Sequence, residues 1–329
     1  MQRFAWPYES GGGSAPSGMI AAHPATNTRS PTRTAREYPT VVSYGEPDEM
    51  SRRSTRLVSP ALKALAQIDG WPAELATAGV VSGERRWVRG PTGGEFGWAS
   101  VTKLFTATAT LIAAEEGIVD LDEPAGPEGS TVRHLLAHAS GLPFEGRRPI
   151  ARPGQRRIYS NTGFEVLGEL VAERAEMEFE EYLRAAVLDP LGLGATRLEG
   201  SPAAGLRGPL DDLLAFAREL LDPRLVAPET LAEATSVAFP GLVGVIPELG
   251  RFDPNDWGLG FELRNSKSPH WTGTRNSERT FGHFGGSGSF LWVDPDVGAA
   301  CASLSDLDFG DWAKEAWPRL SDAVLAELR

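Results

Sequence analysis

The chain has 329 residues, enough for one large or two medium domains with a buried core, and its apolar fraction of 41% and charged fraction of 23% are ordinary for a soluble globular protein. A net charge of -12 argues against nucleic acid as a partner, because phosphate binding needs concentrated Lys and Arg. There is no apolar run long enough to span a bilayer, no signal-peptide pattern at the N-terminus and, with Cys301 alone, no internal disulfide, so a cytoplasmic protein without membrane attachment is expected.

Residues 1–49 are rich in Gly, Ser, Pro and Thr without apolar periodicity and read as a disordered tail; Met50 opens a segment of different character, which suggests it as the true translation start. From Leu57 to Ile68 the apolar spacing suits an amphipathic helix. Two strand-like runs, Ala78–Val81 and Arg85–Val88, flank a turn at Ser82-Gly83-Glu84 and predict a hairpin. A helix is predicted from about residue 100 to 116, with Leu104, Phe105, Leu111 and Ile112 at helical spacing and Gly117 as its stop. Its first turn places Ser100 and Lys103 on one face. Lys103 is one of four lysines and the only one with serine three residues before it. A serine hydroxyl becomes a nucleophile when a base takes its proton, and a lysine serves only where burial and the helix dipole keep it partly neutral.

Ser130 or Thr131 caps a helix predicted to end near Gly141. It carries His134 and His138 four residues apart, but no Glu follows His134 as in HExxH and no third ligand is close, so packing histidines are expected rather than a metal site. Tyr159 and Asn161 precede a helix marked by Phe164, Val166, Leu167, Leu170 and Val171. The pair is open to two readings: side chains aimed into one cleft, or a loop tyrosine followed by an N-cap asparagine. Helices at 179–188 and 210–221 follow in a Pro/Gly-rich stretch. Trp257–Leu263 and Gly282–Val293 read as strand, the latter with glycines at 285, 286 and 288 that permit either close approach of a ligand or a bulge. Ala299–Leu304 reads as a buried strand in which Cys301 is packing, and Trp312–Leu328 as a closing amphipathic helix.

Together these segments resemble the serine β-lactamase and penicillin-binding superfamily, in its class C β-lactamase, DD-peptidase and family VIII esterase branch. Ser100-Val-Thr-Lys103 resembles the SxxK motif, Tyr159-Ser-Asn161 the YxN motif and His283-Phe-Gly285 the third motif, where KTG or HxG is usual. His134–Leu142 and Pro190-Leu-Gly-Leu193 resemble flanking segments of the same family. The resemblance covers about residues 70–310 and implies an α+β fold: an antiparallel sheet flanked by helices (about 57–116 and 255–329) with a mainly helical subdomain (about 117–254). It implies an acyl-enzyme on Ser100, Lys103 and Tyr159 sharing general base and acid work, Asn161 positioning Lys103 and substrate, and an oxyanion hole at the amides of Ser100 and Gly286. No metal or cofactor is implied. Phe284 stands where threonine would bind a substrate carboxylate, and His283 where lysine would hold a fixed charge. An esterase-like hydrolase of small esters or amides is therefore favoured over a DD-peptidase or β-lactamase, with an acyltransferase or a non-catalytic binding protein as the further alternatives. Loops at about 140–158 and 236–256 are expected to form the pocket walls; substrate identity and oligomeric state are not legible.

Overall fold

The computed structural model describes residues 61–329; the segment read as a tail, the Met50 start and the first residues of the helix predicted from Leu57 lie outside the described residues. A 3₁₀ helix, Lys63–Gly70, leads into the hairpin β1 (Ala76–Ser82) and β2 (Arg85–Arg89). After β3 (Phe96–Gly97), a 3₁₀ turn at Ala99–Val101 runs directly into α1 (Thr102–Glu115). Next come α2 (Val132–Leu136), β4 (Arg157–Ile158), α3 (Asn161–Ala175) and α4 (Phe179–Leu183), the last extended by a π-helical turn. They are followed by β5 (Arg197–Leu198), β6 (Leu206–Gly208), α5 (Leu210–Leu221), α6 (Pro228–Ala234), β7 (Gly244–Ile246) and β8 (Gly250–Phe252). The chain closes with β9 (Glu262–Leu263), β10 (Phe281–Gly285), β11 (Ser289–Asp294), β12 (Ala299–Ser305) and α7 (Asp311–Leu328). No helix among the described residues is long and apolar enough to cross a membrane.

The main sheet has the order β2-β1-β12-β11-β10-β9, every pair antiparallel, so it joins an early hairpin to the C-terminal strands. Two apolar layers cover it, and the two-residue period of each strand decides which side chain enters which layer. Leu291 and Val293, with Ala300, Ala302 and Leu304, join the layer containing Leu104, Phe105 and Leu111 of α1 and Leu213 and Phe216 of α5. Phe290, Trp292 and Cys301 join the opposite layer, where Leu65 and Ile68 meet Trp317, Leu320 and Val324 of α7. This is the α+β architecture that the resemblance implied.

The same alternation sorts the third motif. On β10, His283 pairs with Leu291 and Gly285 with Ser289, on the α1 side; Phe284 pairs with Phe290 and joins the α7 layer. Phe284 is 8% exposed, with ring centroids 4.8 Å from Phe309 and 6.2 Å from Trp317. The expectation that Phe284 displaces a carboxylate-binding hydroxyl in the cleft is thereby corrected, since its ring is core.

Three further expectations change. Gly282–Val293 is two strands, β10 and β11, with a turn at residues 286–288, so the glycines make a hairpin rather than a bulge; Gly288, at φ +76°, adopts the left-handed conformation that such a turn needs. The strand expected over Trp257–Leu263 is confined to β9. The helix expected to run to Gly141 stops at Leu136, and His138 has φ 55°, which no α-helix accommodates. His134 and His138 therefore do not share a helix face.

Helix α1 is buried on every side from Thr102 to Ala113, which suits a central helix, and its threonines are accommodated because their hydroxyls find hydrogen-bond partners, that of Thr102 accepting from the Leu206 amide at 3.0 Å. Thr108 and Thr110 donate to the carbonyls of Leu104 and Thr106 at 2.8 Å, while Thr106 donates to Pro202 at 2.6 Å. Gly285 brings β10 against the turn that opens this helix: a methyl there would collide with the Trp98 carbonyl and the Ser289 hydroxyl and sit 3.1 Å from Ala99 Cβ. Gly285→Ala is accordingly expected to lower stability by about 1–3 kcal/mol, through overpacking of that contact. Urea unfolding of the variant against the parent measures it.

Candidate active site

Ser100 sits in the 3₁₀ turn, one residue after Ala99, whose φ of 42° is unusual for a residue with a Cβ. The turn is tied down on two sides. The Trp98 amide donates to Leu206 at 2.9 Å and its indole to Gly208 at 3.0 Å, while the Ser289 and Ser287 hydroxyls donate to the carbonyls of Trp98 (2.8 Å) and Gly97 (2.7 Å). The β6 strand and the β10–β11 hairpin thus hold Ser100 half-exposed at the head of a buried helix.

One turn on, the Lys103 amine is fully buried, 3.2 Å from Ser100 Oγ, 2.7 Å from Asn161 Oδ1 and 2.9 Å from the Ala203 carbonyl. Burial pushes its pKa down to about 7, opposed by the negative charge of Glu165. A neutral amine has two N–H donors and one lone pair. Asn161 Oδ1 and the Ala203 carbonyl only accept, so they take both hydrogens and leave the lone pair for the Ser100 hydroxyl.

Asn161 opens α3 but does not cap it: Ser160 is the N-cap, its hydroxyl accepting from Gly163 N at 2.9 Å. This frees the Asn161 side chain for Lys103 and corrects the reading of Asn161 as a cap. Tyr159 is half-buried, with Lys103 Nζ 4.8 Å from its ring centroid. Burial raises the phenol well above its usual pKa, against a hydrogen bond with Ser100 that lowers it. Its hydroxyl lies 3.4 Å from His283 Nε2. His283 Nδ1 donates to the Phe284 carbonyl at 2.6 Å, so Nε2 is the acceptor and Tyr159 the donor. Burial and the Lys103 charge lower the His283 pKa to about 3, against the Phe284 hydrogen bond and Glu262, so the imidazole is neutral rather than a cation for a substrate carboxylate.

Ser100, Lys103, Tyr159, Asn161 and His283 are therefore brought together, with Gly285 packed on the Ser100 turn and Gly286 exposed immediately after it. The two segments expected as pocket walls are joined by the parallel pairs Arg157↔Gly244 and Ile158↔Val245. Sequence reasoning missed four contributors. The Ala203 carbonyl is main chain and carries no side-chain signal. Glu165 lies one helical turn beyond Asn161, a spacing that was available to the reader. The Phe144 carbonyl accepts the amides of Asn161 (2.9 Å) and Thr162 (3.3 Å). Trp257, 2% exposed, has its ring 5.9 Å from Tyr159 and 5.5 Å from His283. His134, read as packing, is part of a capping box with Thr131, its Nδ1 3.3 Å from the Thr131 amide.

A serine–lysine pair thus stands at the head of a buried helix, flanked by an antiparallel sheet and a tyrosine-bearing loop. Residues 76–325 match the family model described as Beta-lactamase, and the chain belongs to that family. A solved structure of a beta-lactamase from Mycobacterium bovis is 54% identical, with a TM-score of 0.80, covering 80% of this chain and 99% of that one. Penicillin-binding protein 4* of Bacillus subtilis is 25% identical over 62% of this chain, and the match spans 53% of that relative's length. A D-stereospecific amidohydrolase from Streptomyces shares the fold at 23% identity, with a TM-score of 0.60, covering 78% of this chain and 97% of that one.

The Lys103 amine is expected to titrate near 7, and Glu165→Gln to move that titration to lower pH, because the carboxylate favours the ammonium form. ¹⁵N NMR of the lysine side chains, with Lys103→Ala for assignment, measures both values.

Proposed function

We propose that the protein is a serine hydrolase that forms an acyl-enzyme on Ser100 and releases it to water, acting on small esters or amides. The observation that carries this is the buried Lys103 amine, 2.7 Å from Asn161 Oδ1, 2.9 Å from the Ala203 carbonyl and 3.2 Å from Ser100 Oγ, an arrangement in which the neutral amine can give its two hydrogens to the first two and accept from the serine. Lys103 takes the Ser100 proton as Oγ bonds to the substrate carbonyl carbon. The tetrahedral oxyanion is then held by the amides of Ser100 and Gly286. Breaking of the bond to the leaving oxygen or nitrogen, which takes a proton from the Tyr159 hydroxyl, leaves the acyl group on Ser100, and the proton held by Lys103 restores the Tyr159 phenol. Water then attacks the ester as Lys103 takes its proton, the bond from the acyl carbon to Ser100 Oγ breaks, and that proton returns to Oγ as the acid leaves.

Preference for uncharged esters rests on His283. A neutral, buried imidazole offers no fixed charge to a carboxylate at the place where a lysine would. β-Lactam hydrolysis is the second reading, favoured by the 54% identity to the M. bovis beta-lactamase. An acyl-enzyme intercepted by an alcohol or amine in place of water would make the protein an acyltransferase.

Intact mass after fluorophosphonate treatment, run beside p-nitrophenyl butyrate and nitrocefin turnover, tests the proposal. A covalent adduct and ester turnover are expected in the parent, and Ser100→Ala is expected to lose the adduct and about 1,000-fold or more of the rate. Nitrocefin turnover exceeding ester turnover would move the assignment to β-lactamase. A folded parent with neither adduct nor turnover would overturn the acyl-enzyme itself.

A further inference from the structure

His138 is the motif residue that the proposed chemistry leaves without a task, and it is placed unusually. It is 1% exposed, holds φ 55° without being glycine, and its Nε2 is buried with no hydrogen-bond partner. A left-handed backbone and an unpartnered buried N–H are both unfavourable, and an apolar ring would avoid the second. Its amide donates to the Leu135 carbonyl at 3.1 Å, while its two acceptors both engage one short segment. The His138 carbonyl accepts the Ile158 amide at 2.8 Å, and His138 Nδ1 accepts the Ser160 amide at 3.1 Å. These two amides flank Tyr159. The imidazole itself backs the phenol, with ring centroids 4.7 Å apart, and stands at 88° to Trp257, also at 4.7 Å.

Accepting from a backbone N–H requires Nδ1 to be unprotonated, which assigns the proton of the neutral ring to Nε2. Burial, and the neighbouring charges of Lys103 and Arg157, hold the ring neutral far into acid. The acceptor is therefore permanent over the range in which Lys103 titrates.

We propose that His138 is the positioning residue for Tyr159: its carbonyl and Nδ1 clamp the backbone on both sides of the tyrosine, so that the phenol oxygen stands between Ser100 and His283 Nε2. The proposal rests on the reading of Tyr159 as the proton-passing group. It differs from a packing role in which atom matters. Asparagine places its Oδ1 where Nδ1 was and tolerates positive φ, although it removes more ring volume; glutamine fills more of the space but moves its oxygen beyond reach of the Ser160 amide.

His138→Asn is expected to keep ester kcat within about 5-fold of the parent, and His138→Gln to lower it by about 30-fold or more with KM changed by less than about 3-fold, since small misplacement of a reacting group is that damaging. In a Tyr159→Phe background, His138→Gln is expected to add less than about 2-fold, because the group it positions is already gone. Hydrogen exchange at the Ser160 amide gives a readout that needs no turnover: about 10-fold faster in His138→Gln than in the parent, and near the parent rate in His138→Asn. Thermal unfolding accompanies each variant. Activity or exchange that follows thermal stability rather than the retained acceptor, equal loss in both variants, or full loss in the Tyr159→Phe background would each overturn the proposal. A parent without turnover but with the expected exchange pattern would instead count against the proposed function and leave the clamp standing.

Discussion

Everything at the cleft depends on keeping one amine out of water. Lys103 is enclosed by α1, α3 and the segment carrying Ala203, and burial, partly opposed by the Glu165 charge, brings its pKa from 10.5 down to about 7. That arrangement opposes folding. Between about pH 7 and 10.5 the unfolded chain binds a proton that the native site does not, so stability from this group rises with pH across that window and is at its least below it. The surrounding protein offsets the loss through the apolar layers on both faces of the sheet, most heavily where α1 is buried from Thr102 to Ala113. A helix threaded through the core is what allows its first turn to hold a desolvated lysine. The same four-residue stretch supplies the chemistry and the burial that tunes it.

The three motifs come from distant parts of the chain, and each arrives by a different physical device. The Ser100 turn is pinned by hydroxyl and indole contacts to β6 and the β10–β11 hairpin. Tyr159 and Asn161 are fixed by the cap at Ser160 and the Phe144 carbonyl. His283 is placed on the α1 side by strand alternation and its ring is held by the Phe284 carbonyl. No large rearrangement is needed to align them, because rigid elements carry the side chains and main-chain groups lock the connecting loops.

Much of this was legible in the sequence, and the boundary of legibility has a cause. Spacing singled out Ser100 and Lys103 as candidates, the family resemblance added Tyr159 and Asn161, which spacing alone left open, and apolar periodicity placed β1, β12, α5 and α7. What failed depended on backbone geometry or on distant main chain. The left-handed His138 ended a helix that composition would have continued, and the hairpin at residues 286–288 divided what read as one strand. Ala203 contributes a carbonyl that any residue there would also present. Phe284 misled for a different reason: the motif was read as a row of residues facing one cleft, whereas a strand turns every second side chain away.

That last point changes how the departures from a KTG sequence should be understood. Phe284 belongs to the core beside Trp317 and Phe309, so its loss of a hydroxyl is a packing matter on the α7 side of the sheet. His283 is the departure with chemical effect. A lysine ammonium in its place would put a second cation against Lys103, and like charges in a desolvated site drive the titration of one another downward. The Lys103 charge already does so to His283. With a neutral imidazole as the phenol's acceptor, Lys103 is the group of this cluster that changes charge near neutrality. The proposed preference for uncharged acyl groups follows from this: a neutral His283 gives a carboxylate no cation on β10 to pair with.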